Sequence, residues 1–360
     1  MSAAARTSRK RKHPYRVLVL MHEDLVPPDT LTGYSPKEVL EWRTEFDVVK
    51  GLKTLGHEAL ALGVRSDLTP IRDAIDSFRP HITFNLLEEF HGVPSYDQHV
   101  VSYLELLRKR YTGCNPRGLM LARDKALSKQ LLAFHKVPVP RFAVFPMGRK
   151  PRRPKRLEFP LLVKSLTAEG SAGISQASVV TNDEKLAERV EFIHSRVGTD
   201  AIAEQYIDGR EIYVGVMGNV RLEALPVWEM NFESMPEAAY RIASQKVKWD
   251  EQYQARIGYT QGPSTNLSPE KQLEIQKLAK RIYRRLGLSG YARLDFRVTP
   301  GGDPYLLEAN PNPQISSDGE FAESAKFAGI AYPELLHKIL TLGMSYRAAW
   351  VDAESEGDGD

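Results

Sequence analysis

The chain has 360 residues, a length that suits two or three domains. Apolar residues make up 42% and charged residues 26%, which excludes a disordered chain, and no run of 18 apolar residues offers a membrane span. The net charge of +3 selects no partner by itself, and the single cysteine, Cys114, excludes an intrachain disulfide and a cysteine-rich zinc site. The basic cluster 9–12 is followed by no signal-type apolar region, because Val17-Leu-Val-Leu-Met21 runs straight into His22, Glu23 and Asp24. A cytoplasmic protein is expected.

Residues 15–21 form a short apolar run, the pattern of a buried strand. Ser35-Pro36-Lys37-Glu38 supplies a cap residue, a proline at the first helical position and the glutamate of a capping box. A single helix is predicted from there to Leu55, stopping at Gly56. Residues 59–64 read as a strand, 67–78 as a helix with Pro70 in its first turn, and 81–87 as a third strand. That alternation predicts a parallel open sheet with right-handed crossovers. A helix over 96–110 and a turn at Tyr111-Thr-Gly113 follow.

The next helix is predicted over 123–135, ended by Lys136-Val-Pro-Val-Pro140. Residues 142–145 and 159–164 read as strands, separated by a loop, 148–156, with six cations in nine residues. No aromatic residue is interleaved with them, which argues against stacking on a nucleic-acid strand; a solvated loop is expected. Beyond a small-residue loop with Gly170 and Gly173, residues 183–196 read as a helix. Residues 201–207 and 211–217 read as two strands around Asp208-Gly209, a hairpin signal, and 222–228 as a further strand. The aperiodic stretch 231–266 has the length of a functional loop. A helix over 269–286, strands over 291–298 and 305–310, and a mainly helical 321–342 complete the reading.

The chemistry concentrates in Arg293-Leu-Asp295 and Glu308-Ala-Asn310. Residues two apart on a strand share a face. A two-residue turn at Gly301-Gly302 would set Asp295 opposite Glu308 and Arg293 opposite Asn310, all on one face. Two carboxylates and an amide oxygen make a hard-oxygen site suited to Mg²⁺ with phosphates completing its shell. Arg293 beside it could hold a phosphate or a developing oxyanion. A two-residue turn at Asp208-Gly209 would likewise put Glu204 opposite Tyr213 and Glu211 opposite Tyr206, with both glutamates on one face. Lys164 ends an apolar strand just before the Gly170/Gly173 loop, whose backbone N–H groups could approach phosphate oxygens. The spacing is not that of a P-loop.

In this order the motifs resemble those of ATP-grasp enzymes, most of all the D-alanine–D-alanine ligase family, over residues 80–342. The matching pieces are His91-Gly92 with Tyr111-Thr-Gly113, Asp124-Lys125 with Lys129, and Phe159-Pro-Leu-Leu-Val-Lys164 with Glu169-Gly-Ser-Ala-Gly173. Glu204-Gln-Tyr-Ile207 with Gly209-Arg-Glu211, and the Arg293–Asp295 and Leu307-Glu-Ala-Asn310 pair, complete the set. The resemblance implies an α/β chain: two α+β ATP-grasp lobes that sandwich ATP, preceded by an N-terminal parallel-sheet domain. The implied organisation is a basic tail 1–13, an N-terminal domain 14–113, a central lobe 114–200, a C-terminal lobe 201–345 and an acidic tail 346–360.

The resemblance also implies roles. Lys125 and Lys164 would contact the ATP phosphates under a loop carrying Gly170 and Ser171. Glu204 and the Ile207 backbone would read adenine, Glu211 the ribose, and Lys248 would close over the site. Asp295, Glu308 and Asn310 would hold two Mg²⁺, with Mn²⁺ as a substitute. Arg293, Lys164 and Glu23 would be catalytic, Arg293 stabilising a tetrahedral intermediate. Glu23, His91, Arg293 and Gly319 would meet the substrates. The implied reaction is ADP-forming ligation of a carboxylate to an amine through an acylphosphate. The alternatives are a different amino acid and amine pair, or a nucleotide-binding protein that does not ligate. The partners implied are small amino acids or amines and a second copy of the chain, as a homodimer, with no membrane and no nucleic acid. Two segments depart from the family pattern. His22-Glu23-Asp24 stands where the family has a Gly-Gly-x-Ser-x-Glu segment, with Glu23 the only equivalent of the donor-binding glutamate. Gly319, flanked by Asp318 and Glu320, stands at the serine that helps bind the second substrate's carboxylate. That acidic flank suits either an acceptor that lacks a carboxylate or carries extra positive charge, or two acids that cap the next helix and point to solvent.

Overall fold

The computed structural model describes residues 14–168, 170–236 and 239–351. The basic tail and the acidic residues from 352 onward lie outside the described residues. The first unit is β1 (Arg16–His22), α1 (Pro36–Glu41), α2 (Arg43–Thr54), β2 (Glu58–Val64), α3 (Thr69–Phe78), β3 (Ile82–Asn85) and α4 (Asp97–Leu106). The sheet is parallel in the order β2-β1-β3, as the alternation predicts. Val17 to Met21 are fully buried, so the apolar run is the central strand. The capping box at Ser35 forms. The long helix after it does not stay whole. Trp42 leaves helical geometry (φ −123°, ψ 24°), with its buried indole packed against Tyr34 and Phe46. Burying that ring is what separates α1 from α2.

Next come α5 (Pro116–Arg123), α6 (Lys125–Phe134), β4 (Phe142–Phe145), β5 (Leu161–Ser165), β6 (Val179–Val180), α7 (Asp183–Phe192) and β7 (Ala201–Gln205). The predicted helix 123–135 is really the second of two. Asp124 is extended and caps α6, accepting from Ala126 N and Leu127 N at 2.9 Å each. The signal for α5 is a cap residue, Asn115, followed by proline at the first helical position. The strands form a four-stranded antiparallel sheet in the order β4-β7-β5-β6.

The last part holds β8 (Arg210–Met217), β9 (Glu223–Ala224), β10 (Trp228–Phe232), α8 (Gln245–Trp249), α9 (Glu251–Ile257), β11 (Tyr259–Pro263) and α10 (Pro269–Arg285). After these come β12 (Tyr291–Val298), β13 (Pro304–Pro311), α11 (Glu320–Phe327) and α12 (Tyr332–Ser345). Its six-stranded sheet runs β11-β10-β8-β12-β13, with β9 on the end of β8. The aperiodic stretch 231–266 is therefore largely ordered as strand, two short helices and strand.

The hairpin expected at Asp208-Gly209 does not form. Both edges of β7 are taken by β4 and β5, and both edges of β8 by β10 and β12. Residues 206–209 instead cross from one sheet to the other. Gly209 sits at φ 146°, where a Cβ would lie 2.1 Å from the Val298 carbonyl oxygen, so the crossing grazes the end of β12. Glu204 is consequently not opposite Tyr213, nor Glu211 opposite Tyr206. Residues 201–205 also join the sheet of the central lobe, not that of the lobe expected to begin at 201.

The other hairpin forms. Asp295 faces Glu308 and Arg293 faces Asn310. The turn is longer than two residues, since Val298 pairs with Pro304 and Thr299 N donates to Asp303 O. A bulge offsets that shift: Phe296 pairs with Leu306, leaving Leu307 extra on β13. No helix of the described residues is long and apolar enough to cross a membrane.

Candidate active site

A cleft opens between the four- and six-stranded sheets. Lys164 and Glu204 line it from one sheet, Glu211, Asp295 and Glu308 from the other, and Ile207 from the crossing between them. Ser171 and Lys248 come from segments above it. The mixed apolar and polar walls are those of a small-molecule site.

One wall is a buried charge cluster. Glu204 is 1% exposed, with Lys129 Nζ 2.9 Å from one carboxylate oxygen and Lys164 Nζ 3.2 Å from the other. Burial would raise Glu204, but the two ammonium groups hold it below its ordinary value. Burial would depress Lys164, yet Glu204 and Glu308 keep it above its ordinary value. Lys129 yields more to burial and, with Lys164 adding repulsion, is pushed down to about 8. Lys129 also donates to the carbonyl of Leu307, the bulged residue of β13. One buried ammonium thus ties α6 and β7 to the hairpin of the other sheet.

The opposite wall carries the hairpin acids. Arg293 donates bidentately to Asp295, Nε to Oδ1 at 2.8 Å and Nη2 to Oδ2 at 2.9 Å, and stacks 4.8 Å from the Tyr213 ring centre. Asn310 Nδ2 donates to Asp295 Oδ2 at 2.9 Å. Burial pushes Asp295 up to about 6, with Arg293 opposing and Glu308 adding to the rise. Glu308 behaves oppositely: burial would raise it, but Lys125, Lys164, Lys248 and Lys129 hold it well below the usual carboxylate range. It is therefore ionised at any working pH.

Two carboxylates on one face fit a Mg²⁺ ion that keeps waters and takes substrate phosphates. Among the described residues no cluster of three His, Cys, Asp or Glu could cage an ion without such help. Asn310 would turn its amide to offer oxygen.

The segment around residues 240–243 is stitched to the Gly170/Ser171 loop. Gly170 and Ser171 both have positive φ (65° and 61°), and Ser171 Oγ donates to Ala243 O at 2.7 Å. Gln176 exchanges two bonds with the Tyr240 backbone, at 2.8 and 2.9 Å. Lys125 is buried and donates to Ala168 O at 2.8 Å, holding the start of the same loop.

Three expected substrate residues lie elsewhere. Glu23 follows β1 and is ion-paired with Arg65. His91 is exposed, and its N–H donates to Arg65 O at 2.6 Å. Both belong to the crevice at the carboxyl ends of the parallel strands, and neither lines the cleft. Gly319 caps α11 without a side-chain bond. The acidic flank beside it is compensated rather than free. Asp318 lies 3.6 Å from Arg43, and Glu320 accepts from Arg293 Nη1 at 2.8 Å.

Residues 131–341 match the family model of the D-ala D-ala ligase C-terminus, well over half of the chain. The chain belongs to the D-alanine–D-alanine ligase family. It is an ATP-grasp ligase, of the class that forms C–N bonds. It is 30% identical to a D-alanine–D-alanine ligase of Nitratidesulfovibrio vulgaris strain DP4, over 87% of this chain and 96% of that protein. It is also 30% identical to an uncharacterized protein, y4sG, of Sinorhizobium fredii, over 85% of this chain and 88% of that one. A crystal structure of D-alanine–D-alanine ligase from Bacillus anthracis complexed with ATP superposes with a TM-score of 0.71, at 22% identity, over 96% of this chain and 100% of that one.

Two residues that shape the site of this family member were not among the expected ones. Arg297 is 3% exposed and donates to Glu211 Oε2 at 3.0 Å, Tyr206 Oη at 3.1 Å, Ile207 O at 3.2 Å and the Arg241 carbonyl. It organises the very groups expected to read adenine and ribose. The signal was present: Arg293, Asp295 and Arg297 alternate on one strand face. Lys129, quoted only as part of a motif, lies four residues after Lys125 on the same helix face.

Proposed function

We propose that this chain is an ADP-forming ligase that activates an amino-acid carboxylate as an acylphosphate and joins it to an amine. The observation that carries this reading is the hairpin face, with Asp295 opposite Glu308 and Arg293 beside them, set below a lysine-rich wall. A donor carboxylate oxygen attacks the γ-phosphorus, an O–P bond forms, and the bond from that phosphorus to ADP breaks. The amine nitrogen then attacks the acyl carbon. The C–N bond forms, the C–O bond to phosphate breaks, and the proton lost from nitrogen leaves on phosphate.

Lys125 and Lys164 neutralise charge on the phosphoryl oxygens. Arg293 stabilises the oxyanion of the tetrahedral intermediate. Asp295, Glu308 and Asn310 would hold Mg²⁺, which supplies charge neutralisation at the transferring phosphate. Ser171 and Lys248 keep water from the labile acylphosphate by closing the cover. Glu23 and His91 bind the donor when the N-terminal crevice faces the cleft, and a homodimer is the expected assembly. The relatives named as D-alanine–D-alanine ligases support D-alanine as the first donor to assay. The test is ADP and phosphate release with Mg²⁺-ATP over a panel of amino acids and amines, with mass spectrometry of the products. An amide product that forms with one ADP per bond supports the reading. ATP binding with no product from any pair sinks it.

A further inference from the structure

Glu320 is the first residue of α11, and its carboxylate reaches Arg293 on β12, two residues from Asp295 of the cleft. Its carboxylate takes Arg293 Nη1 at 2.8 Å, while Asp295 takes Nε and Nη2 on the other edge. A guanidinium has five N–H donors, and here three are given to protein carboxylates, which leaves two for the oxyanion. Arg293, Asp295 and Glu320 together carry one net negative charge before Glu308 is counted. Burial, then the charges of Glu211 and Glu320, push the Tyr213 hydroxyl upward, and Tyr213 lines the cleft. Glu320 is joined to that wall through Arg293, which stacks 4.8 Å from the Tyr213 ring centre. Asp318 behaves differently. It is 67% exposed and turned to Arg43, whose other partner, Asp47, also accepts from Ser317 N at 2.9 Å. That latch fixes the preceding loop to α2 and leaves Glu320 as the flanking acid paired with Arg293.

We infer that Glu320 sets the acceptor class, selecting amines whose neighbouring carbon bears an amide or amine in place of a carboxylate. The inference rests on the ligase reading. A free α-amino acid would bring its carboxylate against two protein carboxylates, with the Nε–Nη2 edge of Arg293 already taken by Asp295 and Nη1 engaged by Glu320. An amide or a second amine can instead donate to the remaining oxygen of Glu320. The covalent step is unchanged, because Glu320 only orients the acceptor.

The test compares three matched acceptors, D-alanine, D-alaninamide and 1,2-diaminopropane, with ATP and a fixed panel of amino-acid donors, reading the amide products by mass spectrometry. The native chain is expected to show a kcat/KM about tenfold or more higher for the amide and the diamine than for D-alanine, the scale of one like-charge contact. Glu320→Gln and Glu320→Ser should narrow or invert that ratio while the KM for ATP stays put. Preference of the native chain for D-alanine, or a ratio unmoved by Glu320→Gln, overturns the inference and leaves the ligase reading standing. Absence of any amide product overturns both. The native ratio needs no variant, so a poorly folding substitution does not block the test.

Discussion

Two segments of this chain carry the same local signal, and only one becomes a hairpin. Residues 201–217 and 291–310 each show alternating polar residues around a glycine-containing turn. In the second, β12 and β13 pair and bring Asp295 opposite Glu308. In the first, β7 and β8 part company, because each is flanked on both edges by other strands. The failed hairpin is as consequential as the formed one. By sending β7 into one sheet and β8 into the other, it makes the crossing 206–209 the back of the cleft. Glu204 then meets Lys129 and Lys164, while Glu211 meets Arg297. A register error at the formed hairpin would lose one site, whereas a pairing error at the crossing would lose the cleft.

The largest expected effect comes from the formed hairpin. Asp295→Asn or Glu308→Gln should lower kcat by about 10³-fold, the scale of losing a dedicated electrostatic group, with folding retained. Thermal melting beside steady-state kinetics checks both parts, and activity within tenfold of native would remove the hairpin from the mechanism. Next is the clamp between the sheets. Lys129→Met leaves Glu204 half-paired and the Leu307 carbonyl without its donor. It should cost about 3 kcal/mol in urea unfolding. Gly209→Ala probes the crossing itself. Its φ of 146° and the Val298 carbonyl beneath it predict a loss of about 2 kcal/mol, read in the same assay. No loss would mean that the crossing is looser than its contact with β12 implies.

The smallest effect is a pH response. Asp295 is raised to about 6, so below that pH the folded chain holds a proton that Mg²⁺ must displace. Calorimetric affinity for Mg²⁺-nucleotide should fall as pH drops through 6. The stability term has the opposite sense. Because the folded value lies above the unfolded one of about 4, Asp295's contribution to the stability of the metal-free chain should decline as pH rises from about 4 to 6. Asp295→Asn should abolish both trends, and a flat binding profile in the native chain would refute the assignment.

Much of the site was legible because strand alternation is a local property. Arg293, Asp295, Glu308 and Asn310 share a face by period alone, and the same period reaches Arg297, which went unread. The pairing at Asp295 and Glu308 was reached although the turn is longer than two residues, since the bulge at Leu307 offsets the difference. The parallel sheet was also legible, as were the capping box at Ser35 and α10. The break at Trp42 was not, because it depends on where an indole finds its pocket.

Sequence by itself determined which residues alternate, where helices are capped, and that an apolar strand ends in Lys164. Those are decided within a few residues by backbone geometry and side-chain type. Tertiary structure alone decided which strand edges were free, and so which segments paired and which crossed. It also decided that Lys129 reaches Glu204 and Leu307, and that Glu320 turns to Arg293 while Asp318 turns to Arg43. The physical reason is that edge pairing and buried ion pairs depend on residues distant in the chain, whose approach the whole packed core must first arrange.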